Sequence, residues 1–304
     1  MPDSLNLTTS YSGKYASSYI AKSILAGVML NKSLMRKFIG IKSSMNIPVM
    51  KLNGIVQPYT SEFNPVVDAI QVSERKLTPA KRTTQLLFEI EHLEQMHISE
   101  EMPPGMHNTE MPDSFEEFLI MYIEAAVANE IDNLIWNSDT SASGALGQAD
   151  GLLKLLTIAP DVNDIAISPF TVDNIIDEMT KVYLGAPEGI SKTRNAMFMS
   201  VQSHKMYEVA LTKSKELAAN KDVNGNLLYS KNTMVEAIPN FPANTIVYAP
   251  TSNLAFGTDL ESDANKVRIV DMRFTTNDDQ IRLRMDYKLD SNYGFGEEIV
   301  LAKV

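Results

Sequence analysis

Few side chains in this 304-residue chain could do chemistry: four histidines, carboxylates spread along its length, and no cysteine. Without cysteine there is no disulfide, no thiolate zinc site and no cysteine nucleophile, and the sequence carries no redox mark of compartment. His92 and His97, in EIEHLEQMH, stand five positions apart. A metal pair on one helix face wants a four-residue spacing, and on a strand an odd spacing sends the rings to opposite faces. His107 lies in EMPPGMHNTEMP and His204 near a strand-to-helix junction. Glu116-Glu117 and Glu297-Glu298 are carboxylate pairs, but adjacent residues on a helix do not face each other. Capping, dipole and solvation roles therefore fit them better than acid–base catalysis. The motifs G-x-S-x-G, H-E-x-x-H and G-x-x-x-x-G-K-[ST] are absent. Glycines 144, 147 and 151 approach a dinucleotide fingerprint, but their spacing is wrong and they follow a helix instead of a strand. The expectation is no enzyme, no cofactor and no metal.

The longest element expected is a helix within 112–139. Ser114 and Glu117 form a capping box. Phe115, Phe118, Leu119, Tyr122, Ala126, Ile131, Leu134 and Ile135 then recur at three- and four-residue steps as one apolar stripe. Glu116, Glu117, Glu124, Glu130 and Asp132 lie mostly off it. A helix of about 24 residues is about 36 Å long, a spine for the remainder.

Composition allows one large or two modest domains with ample core, at 44% apolar residues. Seventeen methionines suit adaptable packing. No apolar run approaches membrane-spanning length, and the early run 24–30 is too late and too short for a signal peptide. A soluble chain with no membrane partner is expected. The net charge of -11 is uneven: residues 1–60 hold seven lysines and arginines against Asp3 alone. A basic arm lying on the acidic body of its own or a neighbouring molecule follows more readily than a nucleic-acid tail, because the charges are spaced and lack aromatic interleaving.

Residues 1–16 read as a polar arm, and Ile20, Ile24, Val28, Leu34, Met35 and Phe38 predict a helix over 17–38 with Gly27 as its weak point. From 46 to 94 the pattern turns to β, with short apolar pieces at 47–52, 66–72 and 86–90 separated by prolines. This excursion has little core of its own. Behind the spine, SDTSASGALGQADGLL is a small-residue loop. A helix over 171–183, a buried strand over 195–201, a helix through Ala218 and strands at 234–238 and 245–249 make an α/β unit. Ile281, Leu283, Met285, Tyr287 and Leu289 alternate strictly with polar residues, one strand of a hairpin turned at 277–279. A bulge near Val270 would reconcile the phases of Val267, Ile269 and of Met272, Phe274.

This order of parts resembles a major capsid protein of tailed bacteriophages, of the Hong Kong 97 type. QVSERKLTPAKRTTQLLFEI at 71–90 resembles the return limb of that family's extended loop, and LIWNSDTSASGALGQADGLL at 134–153 the exit from its spine helix. VEAIPNFPANTIVYAPTSNLAFGTDL at 235–260 resembles the end of its axial domain, and the hairpin through FGEEIVLA at 295–302 its closing peripheral segment.

The resemblance implies an α+β fold in five parts. These are an N-terminal arm and first helix (1–45), an extended β loop (46–94), a peripheral domain with the spine helix (95–141), an α/β axial domain (142–262) and a closing peripheral hairpin (263–304). It implies a self-assembling shell of pentamers and hexamers around double-stranded DNA, in a virion assembled in the host cytoplasm. Partners would be further copies of the chain, scaffold, portal and decoration proteins, and packaged DNA nearby without specific binding. Because the chain opens on the arm, a separate scaffold or none is implied. Inter-subunit contacts are expected at Lys14, Lys22, Lys32, Arg36, Lys37, Lys76, Lys81, Arg82 and Trp136, the last alternatively buried against the axial domain. Two other readings stand beside this one: an encapsulin-type compartment of the same fold, and a soluble α/β enzyme with unassigned carboxylates.

Overall fold

The computed structural model describes residues 27–52, 54, 56–59, 61, 70–89, 126–216, 220–222, 225–259, 267–272 and 278–304. The capping box, the first half of the expected spine and the polar arm lie outside them. What remains is organised by two mixed β-sheets with a helix between them.

The first sheet is built on the strand with the clearest alternation. β12 (Gln280–Tyr293) buries Ile281, Leu283, Met285, Tyr287, Leu289, Ser291 and Tyr293 on one face. Along one edge it pairs antiparallel with β4 (Ala80–Glu89) from Gln280↔Glu89 to Leu289↔Ala80. Its other edge takes β11 (Val267–Asp271) and then β10 (Leu254–Thr258), both antiparallel. β1 (Arg36–Phe38) closes this side, parallel to β10. The limb 80–89 is thus a full member of the sheet. The register of β11 runs unshifted from Val267↔Met285 to Asp271↔Ile281, so the expected bulge is absent and the strand simply ends before Met272.

The second sheet has the order β5-β13-β9-β6-β8-β7, formed by β5 (Asn163–Ala166), β6 (Asn195–Ser200), β7 (Leu228–Ser230), β8 (Thr233–Ile238), β9 (Thr245–Pro250) and β13 (Val300–Lys303). β6 and β9 are buried at every residue, as two-sided central strands must be. β13 was expected to close the peripheral part. It lies between β5 and β9 instead, because Val300, Leu301 and Ala302 are all buried and need cover on both faces.

One face of this sheet carries α4 (Ile175–Leu184) and α5 (Val201–Ser214), whose Ile175, Met179, Val182, Tyr207, Ala210 and Leu211 pack on Met197, Met199, Ile246 and Tyr248. Ser200 caps α5 by accepting the amide of Ser203 at 3.1 Å. The helix stops at Ser214, short of Ala218, where Lys215 turns left-handed at φ 62°.

Between the sheets runs α2 (126–137), with α3 (Leu152–Ile158) behind it. Val127, Ile131, Leu134, Ile135 and Trp136 join β12 and β10 on one side to Ala196, Phe198, Val247 and Ala249 on the other in one core. Ala126, expected in the stripe, is exposed; Asp132, expected outside it, is buried.

The helix expected over 17–38 is, within the described residues, only α1 (Val28–Asn31). Ser33 breaks it at φ 54°, and the chain then extends to give β10 its parallel neighbour. Gly27 is the N-cap of this turn and not a weak point inside a helix. Finally, β2 (Met45–Leu52) and β3 (Ile70–Leu77) pair only with each other, as a projecting antiparallel ribbon.

Candidate assembly surfaces

The β2–β3 ribbon has two different faces, as strand periodicity requires. Ile47 and Val49 point inward; with Ile41, Leu77 and Ala255, Ile47 forms a small separate cluster at the ribbon's base. On the other face Asn46 donates to Glu74 at 2.6 Å near the base. Farther out Met50 sits opposite Val72, with Ile70 next along β3, and all three are more than half exposed. Val56 and Tyr59 beyond them are almost fully exposed. An apolar strip on a two-stranded ribbon without a partner sheet cannot stabilise that ribbon by itself.

Polar ties hold the ribbon to the body. Arg75 stacks over the Tyr293 ring at 4.5 Å, its Nη2 meets Asp161 at 3.0 Å, and its Nε donates to the Gly294 carbonyl at 3.3 Å. Lys51 pairs with Glu297 at 2.7 Å. Asn292 donates to the Lys76 carbonyl at 2.9 Å, and the Thr78 amide to Asp290 at 2.6 Å. Between ribbon, β1 and the second sheet lies a cleft of about 320 Å³, with Arg36 and Glu298 among its lining.

The basic residues expected to meet neighbouring subunits fall into three groups. Lys14 and Lys22 lie outside the described residues. Arg36, Lys37 and Lys76 are exposed on β1 and β3, Arg36 leaning over Phe38 at 5.6 Å. Lys32 and Lys81 have partners at home, Glu236 at 2.7 Å and Asp286 at 3.6 Å.

Arg82 and Trp136 are corrections. Arg82 is buried, its guanidinium donating to the carbonyls of Ala145 (3.2 Å) and Leu289 (3.1 Å) and to Ser138 Oγ (3.1 Å). It pins the loop after α2 to β12, enclosed by its own chain. Trp136 is fully enclosed, its ring 5.0 Å from Phe198 and 5.1 Å edge-on from Phe241. Its place is against the second sheet, the alternative that the sequence also offered.

The loop that Arg82 pins follows from its glycines. A Cβ at Gly151 would lie 2.7 Å from the Trp136 carbonyl oxygen, so only glycine lets the chain turn back against the end of α2. Lys154 fixes the outer limb with Asp139 (2.6 Å) and Asp150 (2.8 Å), and this pairing holds the Asp139 carboxyl down at about 2.

The root of the N-terminal segment is a second polar junction. The amides of Val28 and Met29 donate to the two oxygens of Asp132 at 2.7 and 3.3 Å. Asp132 is 1% exposed, and burial pushes its carboxyl up to about 6 against the pull of those amides. No periodicity rule finds it, because its partners lie far away in sequence. The chemistry available here is anchoring. His92, His97 and His107 fall outside the described residues. Burial lowers the pKa of the His204 imidazole, and among the described residues no three His, Asp or Glu side chains form a metal set. No helix among them is long and apolar enough to cross a membrane.

No protein-family model matches the sequence, and no curated protein matches it. The fold does have counterparts. The satellite phage P4 procapsid, with its size determination (Sid) protein, contains a chain matching at a TM-score of 0.57 and 11% identity, over 94% of this chain and 98% of that one. A virus-like particle from Pyrococcus furiosus matches at 0.54 and 10% identity, over 95% and 97%. The capsid of a native GTA particle matches at 0.54 and 12% identity, over 93% and 90%. At these identities the likeness is one of fold. The chain has the α+β fold of chains in phage capsids and a virus-like particle, matched over more than nine-tenths of its length.

Proposed function

We propose that this chain is a major capsid protein, copies of which assemble into the icosahedral shell around the double-stranded DNA of a tailed phage. The observation that carries this reading is the near-complete mutual coverage with a chain of the P4 procapsid. The role is structural and needs no active site, since a shell gains its stability from many modest repeated contacts. Two sheets fused through α2 supply a rigid body, and the β2–β3 ribbon supplies an extension adaptable to five- and six-fold surroundings. Its strip of Met50, Ile70 and Val72 is the face we assign to a neighbouring copy. Lys14, Lys22, Arg36, Lys37 and Lys76 belong to the contact set; Lys32 and Lys81 contribute through their outer sides. A net acidic subunit also avoids tight phosphate binding along packaged DNA. The expected surroundings are a virion, reached by assembly in the host cytoplasm with portal, scaffold or decoration proteins.

The match to the virus-like particle supports a second reading, an encapsulin-type shell around protein cargo. Negative-stain microscopy with a sizing column tests both. Closed shells, or rings of five and six, are expected. A monomer or dimer that persists at high concentration and after co-expression with the flanking genes overturns the shell. Nucleic acid inside purified native particles supports the phage, and a single protein cargo the compartment.

A further inference from the structure

The junction that fixes the start of the described chain is held by carboxylates from two different layers. α1 has only four residues, too few to be stable alone. At its start Gly27 lets Asp132 come so close that a Cβ there would lie 2.8 Å from Oδ1. The amides of Val28 and Met29 point at this carboxylate, which makes no ion pair with a described residue. At the other end Lys32 reaches Glu236 of β8 at 2.7 Å and Asn226 at 3.3 Å, and Arg194 donates to the Lys32 carbonyl at 3.4 Å. Glu236 is 2% exposed, and its second oxygen has no hydrogen-bond partner. Among the described residues, His204 on α5 feels Glu208, Glu236 and Lys32 through space, and Glu130 stands two positions before Asp132 on α2, exposed.

We propose that residues 27–32 form a proton-tightened latch, in which protonation of Asp132 docks the root of the N-terminal segment more firmly and neutral pH loosens it. The argument is one of compensation. An ionised carboxylate enclosed by α1 has two amide donors and, among the described residues, no cation, so its charge is incompletely balanced. When α1 lifts away, water solvates the same carboxylate and its ordinary acidity returns. Docking therefore binds a proton more tightly than undocking. The extra stability of the docked state is fully present below about 3.8 and is lost as pH rises through about 6. Met29, Leu30 and Leu34 are buried in the docked state and favour docking at every pH, so the proton adjusts only how rarely the segment opens. The inference does not rest on the shell reading.

Hydrogen exchange of the full-length chain, corrected for intrinsic rates, tests it through the amides of 27–34. Between pH 7.5 and 5.0 their opening should become about tenfold rarer, the factor that a carboxyl moving from 3.8 to about 6 imposes. The amides of 195–200, in the middle of the second sheet, should show no such change. Asp132→Asn should abolish the response at 27–34. Gly27→Ala, which displaces the carboxylate without removing a titrating group, should abolish it too. His204→Gln should leave it intact. A flat wild-type profile, a response that survives in Asp132→Asn, an equal response at 195–200, or one lost in His204→Gln would each overturn the latch.

Discussion

The carboxylate of Asp132 occupies the space that a side chain on Gly27 would need. A Cβ there would lie 2.8 Å from Oδ1 and 3.3 Å from the carboxyl carbon. The backbone at Gly27, φ -53° and ψ 146°, is open to any residue, so glycine is required by this contact alone. Gly27→Ala should therefore cost about 1–3 kcal/mol, as overpacking of a filled site does. Asp132→Ala removes the obstacle while leaving two amides unpaired. The double variant should lose clearly less than the sum of the single ones. Urea denaturation of the unassembled subunit measures all three, and strict additivity would mean that the two residues do not meet.

Arg82 ties three separate parts of the chain with one planar group: β4, the loop at Ser138 and Ala145, and the end of β12 at Leu289. Arg82→Met fills similar volume but removes the buried donors to two carbonyls and to Ser138, at a cost of about 2–4 kcal/mol. Arg82→Lys keeps the charge and loses the fork geometry, so it should fall between methionine and wild type. Thermal unfolding reads the order; a methionine variant as stable as wild type would deny the clamp.

Where an element's own residues decide its conformation, it was legible in the sequence. β12 shows its buried face by strict alternation, β6 by its apolar run, and α4 by the Gly185 and Pro187 that close it. Elements that depend on distant partners were not. The extension at 36–38 exists because β10 offers an open edge, and β13 because a gap lies between β5 and β9. Asp132 reads as a solvated helix residue until amides from 28 and 29 arrive to bury it. Arg82 reads as one basic residue in a basic limb, and only three acceptors from elsewhere take it inside. Local pattern carries periodicity; it carries no information about which remote group completes a hydrogen bond.

Trp136 is the sole tryptophan and is enclosed by its own chain, in contact with Phe198 and Phe241. Its fluorescence should be blue-shifted in the isolated subunit, move to the red on unfolding, and stay constant when subunits assemble. A shift of the emission maximum on assembly would place it at an interface after all. Trp136→Phe should cost about 1–3 kcal/mol through the cavity it leaves. No lost hydrogen bond adds to that figure, since the indole nitrogen has no hydrogen-bond partner.

The ribbon face offers the sharpest separation of folding from assembly. Met50 and Val72 are cross-strand partners, each more than half exposed, on a face that contributes little to the subunit's own core. Met50→Asp with Val72→Asp places like charges opposite each other, a local penalty of about 0.2–1 kcal/mol. The fold of the body should survive, because Arg75 and the Ile47 cluster hold the ribbon's base independently. A neighbouring copy, however, would have to desolvate two carboxylates without compensation, at several kcal/mol per contact. Repeated around a closed shell, that penalty should abolish particles while circular dichroism and the urea midpoint stay near wild type. Normal shells from the double variant would remove the ribbon strip from the contact surface and leave the exposed basic residues of β1 and β3 as the remaining candidates.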